Sequence, residues 1–293
     1  MNANLFSAAA IAAMLVLLPL QGRAQTTYTD NASNYANGGY AGKGANTPGF
    51  GAFNVTSTGT AGTFVYTASE SEGNRSDNGA PKPGSIDTPN PTPGGAGLSF
   101  GLYAQGGTKD NNGNVVIPRG TNVTIQRAFN APPEAAGLAT AGDMFSVDFV
   151  KGYNDGGTAS VSLLSAGGPT GALFYNGSSG VLSFNGTDTG NGFKAGADHL
   201  VYTLTSPTDY TFTLSGADTY TGTGTFTSPI TGFQVQQTDS GANTPDHNAY
   251  FNNLSVTANS PSAAPEPSQM GALVIMGLGL GGLLLRRRVS TGR

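Results

Sequence analysis

Histidine occurs twice in this 293-residue chain, at His199 and His247, and cysteine never. Those counts narrow the available chemistry. Without Cys there is no thiolate nucleophile, no sulfur metal ligand and no disulfide. A Ser–His–Asp relay could draw on Asp198 beside His199 or Asp246 beside His247. It would also need an exposed nucleophile, and no Gly-x-Ser-x-Gly elbow stands between a strand and a helix. Both histidines therefore read as surface or strand-end polar residues. Cleaving a glycosidic bond needs two carboxylates held at a fixed separation. The glutamates ahead of Glu266 are Glu70, Glu72 and Glu134, and the first two border a Pro/Gly-rich stretch that would pre-organise them poorly. The expectation is a protein that is not an enzyme, with no catalytic residue assigned.

Oxygen ligands are more plentiful. Asp110, Asn112 and Asn114 alternate in one Gly-containing loop and could supply calcium with several hard donors. Capping of the turn is the competing reading of the same three residues. Asp30 with Asn252 or Asn253 is a second calcium candidate, provided the two ends of the chain pair. Calcium would then be structural, and no other cofactor is expected. For sugar binding the relevant side chains are aromatic, because a ring face stacks on a pyranose. The chain has 11 Tyr and 15 Phe but no Trp. Tyr35, Tyr40, Tyr103, Tyr153 and Tyr175 lie near turns, where they are either exposed glycan contacts or half-buried strand-end residues.

The elements that must position these residues are strands. From residue 25 to 258 apolar residues alternate in short runs bounded by Gly, Asn, Asp and Pro. Clear runs are 53–55, 64–66, 98–102, 123–125, 144–150, 161–163, 173–175, 181–184, 200–204, 210–214, 233–235 and 250–256. No segment keeps helical periodicity for long; the best, 132–141, contains Gly137. Asn-Gly at 176–177 and 185–186 predicts hairpin turns, since both residues tolerate positive φ. Turn spacing of about 8–12 residues predicts an all-β fold, a single antiparallel β-sandwich of the jelly-roll type. Residues 70–97 and 106–118 read as long surface loops.

Charge and composition describe the surface. Charged residues make up 10 % of the chain and Gly contributes 45 positions, so hydroxyls and amides rather than ion pairs cover the exterior. All 17 acidic residues fall between Asp30 and Glu266, together with only eight basic ones, leaving that segment at about −9 although the whole chain is −4. A dispersed negative charge argues against nucleic acid as a partner and against adhesion to anionic lipid.

The two ends carry signals. Residues 1–24 read as a secretory signal peptide: an apolar stretch at 8–20, then Gly22 and Ala24 at the −3 and −1 positions before Gln25, although the leading segment lacks Lys or Arg. At the other end, a Pro/Ser/Ala linker begins at 259. It is followed by Pro265, Glu266 and Pro267, an uncharged Gly/Leu-rich span at 270–285, and Arg286, Arg287 and Arg288. As a helix that span reaches about 24–27 Å, marginally enough for a bilayer core. The arginines favour the cytoplasmic side, which leaves everything before Pro265 outside. A permanent membrane anchor is one reading of this tail.

The other reading comes from a resemblance. Pro-Glu-Pro, a short apolar span and a terminal Arg cluster, in that order, resemble a PEP-CTERM sorting signal over residues 264–288. The resemblance implies an exosortase-type processing enzyme as partner, transient membrane insertion and cleavage near Pro265-Glu266-Pro267. It further implies delivery to the cell surface or extracellular matrix of a Gram-negative bacterium, in the context of exopolysaccharide. A second resemblance lies in the domain itself. Tyr28 to Tyr35, Gly49 to Phe53 and Ala249 to Val256 are similar to segments of concanavalin-like jelly rolls found ahead of such signals. In those folds the first and last strands pair, which would set Tyr28–Tyr35 beside Tyr250–Val256. Glycosidases of that fold carry a Glu-x-Asp-x-Glu strand motif, which this chain lacks. The expected function is a non-enzymatic structural or interaction role at the surface, with an exopolysaccharide-binding module as the alternative.

Overall fold

The computed structural model describes residues 25–259, apart from 36–38, 67–85, 88–96, 108–116, 131–136, 155, 195, 227 and 242–246. Residues 1–24, Asp110, Asn112, Asn114, Asp246, the Pro265-Glu266-Pro267 motif, the 270–285 span and Arg286 to Arg288 lie outside the described residues. Among the described residues no helix is long and apolar enough to cross a membrane.

Two antiparallel sheets form a sandwich, as the alternation predicts. The first holds β1 (Gln25–Asp30), β3 (Ala61–Tyr66), β4 (Ser99–Ala104), β6 (Met144–Val150), β11 (Asp198–Leu204), β12 (Asp209–Gly216), β13 (Tyr220–Thr225) and β15 (Ala249–Asn259). Its order is β13-β12-β11-β6-β15-β4-β3, with β1 also on β15. The second holds β2 (Gly49–Thr58), β5 (Asn122–Asn130), β7 (Thr158–Ser165), β8 (Gly168–Asn176), β9 (Val181–Phe184), β10 (Thr187–Gly192) and β14 (Ile230–Thr238), in the order β10-β9-β8-β7-β14-β5-β2.

The strands that line the core most regularly bury alternate residues, as the pleat requires. In β5 these are Val123, Ile125, Arg127 and Phe129; in β6, Phe145, Val147 and Phe149; in β11, Asp198, Leu200, Tyr202 and Leu204. Rings from the facing sheets meet between the layers. Phe53 lies 5.0 Å from Phe100, Phe145 4.9 Å from Phe233, and Phe184 stacks on Phe212 at 4.3 Å. Such pairs add about 0.5–1.5 kcal/mol each beyond the area they bury.

The first and last strands pair: Tyr28 is opposite Val256 and Asp30 opposite Leu254. Residues 185–186 form the tight β9–β10 turn, with φ of 49° at Asn185 and 78° at Gly186. The 176–177 Asn-Gly works differently. Asn176 Oδ1 accepts from the Ser178 N–H, and the positive φ is displaced to Gly180 at the end of a longer loop. In the 132–141 region the described part, 137–141, is not helical; Leu138 bridges Ile230 instead.

Candidate functional site

Strand alternation places three polar clusters. The first surrounds Arg127, an inward-facing position of β5 and fully buried. Its Nη1 donates to Asp30 Oδ2 at 2.6 Å and its Nε to the Gly51 carbonyl at 2.8 Å. The guanidinium lies over the Phe53 ring at 4.1 Å and near Phe50 at 4.7 Å. Asp30 also accepts from Tyr35 Oη at 2.6 Å, from the Asn31 N–H at 2.9 Å and from Asn34 Nδ2 at 2.7 Å. Burial, followed by the bond to Asp30, pushes the Tyr35 hydroxyl up to about 12.

This arrangement corrects the calcium assignment at Asp30 and Asn252. Asp30 already holds a cation, and a metal ion beside Arg127 would meet like charge. Asn252 is spent on the backbone: its Oδ1 accepts from the Ala32 N–H at 2.9 Å, and its Nδ2 donates to the carbonyls of Ile86 at 2.7 Å and Leu98 at 2.9 Å. Among the described residues no group of three or more His, Asp or Glu could hold a metal.

The second cluster lies on the outer face of the first sheet. His199 Nδ1 is 2.6 Å from Asp148 Oδ1, and Asn253 Nδ2 donates to Asp148 Oδ2 at 2.7 Å. The acid beside His199 is therefore Asp148 on the neighbouring strand, not its chain neighbour Asp198, which alternation turns inward. The hydrogen bond to Asp148 raises the imidazole pKa against the smaller opposing effect of burial.

The third cluster gathers loops at one end of the sandwich. The segment after β6 carries Lys151, Tyr153 and Asn154; the segment after β10 carries Phe193 and Lys194; the segment before β15 carries His247. Tyr153 is 42 % exposed and is the large exposed hydrophobic side chain among the described residues. Its ring meets Phe193 edge-on at 5.8 Å and His247 at 5.4 Å, and Phe193 in turn contacts Tyr175 at 5.5 Å. His247 is itself fixed, its Nδ1–H donating to the Ser240 carbonyl at 3.0 Å. The backbone beneath Tyr153 is tied by Asn154 Nδ2 to the Lys151 carbonyl at 3.2 Å, and by Arg119 Nη1 and Ser178 Oγ to the Gly156 carbonyl at 2.8 and 2.9 Å. The result is an aromatic edge with a supported backbone, with the exposed cations Lys194 and Arg119 on neighbouring segments and the Asn154 amide buried in bonds to the Lys151 and Gly152 carbonyls.

Of the five tyrosines considered as glycan contacts, only Tyr153 presents itself to solvent in this way. Tyr35, Tyr40 and Tyr175 are buried core residues, which removes them as stacking surfaces. Tyr40 packs between Phe53 and Phe100 at 4.9 and 5.0 Å. Tyr103 is partly buried beside Phe64 at 6.1 Å. Sequence reasoning missed Phe193, Lys151, Asp198 and Asp218 as members of one neighbourhood. Lys151 and Asp198 carry one weak signal, standing at the edges of the apolar runs 144–150 and 200–204; Phe193 and Asp218 stand in Gly-containing connections without one.

No protein-family profile matches the chain, and no curated protein matches it significantly in sequence. Solved structures similar to it include a protein of unknown function from Shewanella oneidensis, 9 % identical, covering 87 % of this chain and 95 % of the other, TM-score 0.38. A winged bean acidic lectin complexed with methyl-α-D-galactose is 11 % identical, with coverage of 80 % and 99 % and TM-score 0.36. The CBM2 module of a Lactobacillus casei phage J-1 Dit protein is 14 % identical, with coverage of 80 % and 99 % and TM-score 0.38. At such scores these likenesses say nothing of what this chain binds.

Proposed function

We propose that this is an exported bacterial surface or matrix protein, sorted and processed through its PEP-CTERM-like tail. Its sandwich serves a structural and interaction role without turnover chemistry. Its contact with exopolysaccharide is made at the loop end around Tyr153. The observation that carries the binding side is Tyr153 itself: a large exposed ring, packed against Phe193 and His247, with the exposed cations Lys194 and Arg119 on neighbouring segments. A ring held in place loses little freedom when a sugar stacks on it, and nearby donors meet the sugar hydroxyls. The sorting side rests on the residues and order of the tail.

Affinity electrophoresis of the exported protein in gels containing exopolysaccharide from the producing cells tests the first part. Tyr153→Ala should weaken retardation by roughly 2- to 12-fold, the worth of one aromatic contact of about 0.5–1.5 kcal/mol. No retardation of the wild type, or equal retardation of the variant, refutes it. For sorting, the intact mass of surface and culture fractions should end near Pro265. Neutral residues at Arg286, Arg287 and Arg288 should leave unprocessed chain in the membrane. Unchanged processing in that variant counts against the address.

A further inference from the structure

Beneath Tyr153 lies a buried lysine between two buried aspartates. Lys151 directly follows β6, Asp198 opens β11, and Asp218 sits in the connection between β12 and β13. The side chains of both aspartates are wholly buried and that of Lys151 nearly so. Lys151 Nζ is 2.9 Å from Asp198 Oδ2 and 2.7 Å from Asp218 Oδ2. Asp198 Oδ1 accepts from the Asp218 N–H at 2.8 Å, which fixes the two carboxylates side by side. Among the described residues Asp218 Oδ1 finds no hydrogen-bond partner, and Lys194 Nζ stands 3.3 Å from it with its own side chain 52 % exposed. An ion pair alone does not need two adjacent carboxylates on one amine, and their mutual repulsion is a cost in a dry site.

We propose that Lys151 and Asp218 condense into an intramolecular isopeptide bond, with Asp198 carrying the proton. Asp198 first takes a proton from the Lys151 ammonium, leaving a neutral amine in contact with the Asp218 carboxyl. The amine lone pair then attacks Asp218 Cγ, forming the C–N bond, while Lys194 faces the oxygen on which negative charge builds. A second ammonium proton moves to the departing carboxyl oxygen, and Asp198 delivers the first to the same oxygen. The C–O bond breaks and water leaves. The third proton stays on the amide nitrogen, and Asp198 is again a carboxylate. No oxidant or co-reactant is consumed. Two arrangements favour the step. The amine nitrogen is held 2.7 Å from an oxygen of the carboxyl it attacks, so the reaction is effectively unimolecular. It also converts a buried charge pair into a neutral amide, which removes the cost of keeping two charges out of water. In line with that, desolvation raises the Asp198 carboxyl pKa despite the neighbouring Lys151.

The bond would join positions 67 residues apart and lock the end of β6 to the β12–β13 connection. An exported chain without Cys has no disulfide to do this.

The test is mass spectrometry of the folded wild-type protein after full denaturation, with peptide mapping. The expected result is a chain lighter by one water than its sequence requires, and a branched peptide joining the Lys151 segment to the Asp218 segment. Lys151→Arg and Asp198→Asn should each restore the full mass and abolish the branch. A wild-type chain of full mass overturns the proposal whatever the variants do. So does a water loss that maps to the Asp155-Gly156 sequence as an imide, because no branched peptide accompanies it. A branch that persists in Asp198→Asn overturns the role given to Asp198.

Discussion

Removing Asp30 isolates the energetics of the Arg127 cluster. Asp30→Ala leaves the Arg127 guanidinium without its counter-ion in a site from which both side chains exclude water completely. Breaking a buried pair by deleting one partner costs about 3–5 kcal/mol. Arg127 retains the Gly51 carbonyl, the Tyr35 hydroxyl and the faces of Phe53 and Phe50. These partial substitutes place the expected loss near the lower end, about 3 kcal/mol. For a domain of this size that lowers the melting temperature by roughly 6–12 °C. The companion variant replaces both charges: Asp30→Ala with Arg127→Met should recover most of the loss, because well-packed apolar side chains often match a buried pair. Urea unfolding at neutral pH, followed by far-UV circular dichroism, measures the wild type, both single variants and the double variant. A single-variant loss under about 1 kcal/mol would show that Arg127 finds solvent, contrary to its burial. A double variant as unstable as the sum of the two singles would show that the pair is not what the cluster depends on.

Three further outcomes follow from the geometry. Tyr35 is raised from 10.0 to about 12, mainly by burial, and Tyr40, Tyr202 and Tyr210 are raised by burial as well. A folded pKa above the unfolded one gives stability that is full below pH 10 and lost above it. The urea midpoint should therefore hold steady up to about pH 10 and fall towards pH 12, and a flat profile across that range would contradict the burial of these rings. His199 should titrate above 6.5 by NMR, and Asp148→Asn should bring it down. Its contribution to stability is present below pH 6.5 and lost as pH rises through the raised value; it is small because the ring is half exposed. A His199 titration at or below 6.5 would mean that the pair does not form in solution. Gly137→Ala should cost about 1–3 kcal/mol in backbone strain at φ 109° and more through collision with the Ile230 carbonyl. Gly120→Ala has a similar φ of 106° but open space, so it should cost less; equal losses in thermal unfolding would reject the close approach at Gly137.

How far the fold was legible depends on whether a strand buries anything. β6, β11, β12 and β14 alternate apolar and polar residues because one face meets the core, and that period survives in the sequence. β10 (Thr-Asp-Thr-Gly-Asn-Gly) and β13 (Thr-Gly-Thr-Gly between Tyr220 and Thr225) bury no residue fully, being the outermost strands of their sheets. Apart from Tyr220, which packs beside Phe184 and Phe212, nothing apolar marks them, and the hydrogen bonds of a neighbouring strand hold them in place. The same limit governs the candidate sites. A tyrosine near a turn reads alike whether it is Tyr153 at the surface or Tyr40 in the core, because a turn's own sequence does not say what packs over it.

The sequence by itself determined the all-β class, the absence of thiol chemistry, the charge balance and the order of residues in the tail, all of which are properties of composition and short-range pattern. The tertiary structure alone decided the partners. Asp30 meets Arg127 across 97 positions, Lys151 meets Asp198 and Asp218 across 47 and 67, and His199 meets Asp148 across 51. Antiparallel register aligns residues that no local spacing connects, and the alternation of the pleat then sends each one either into the core or out to water.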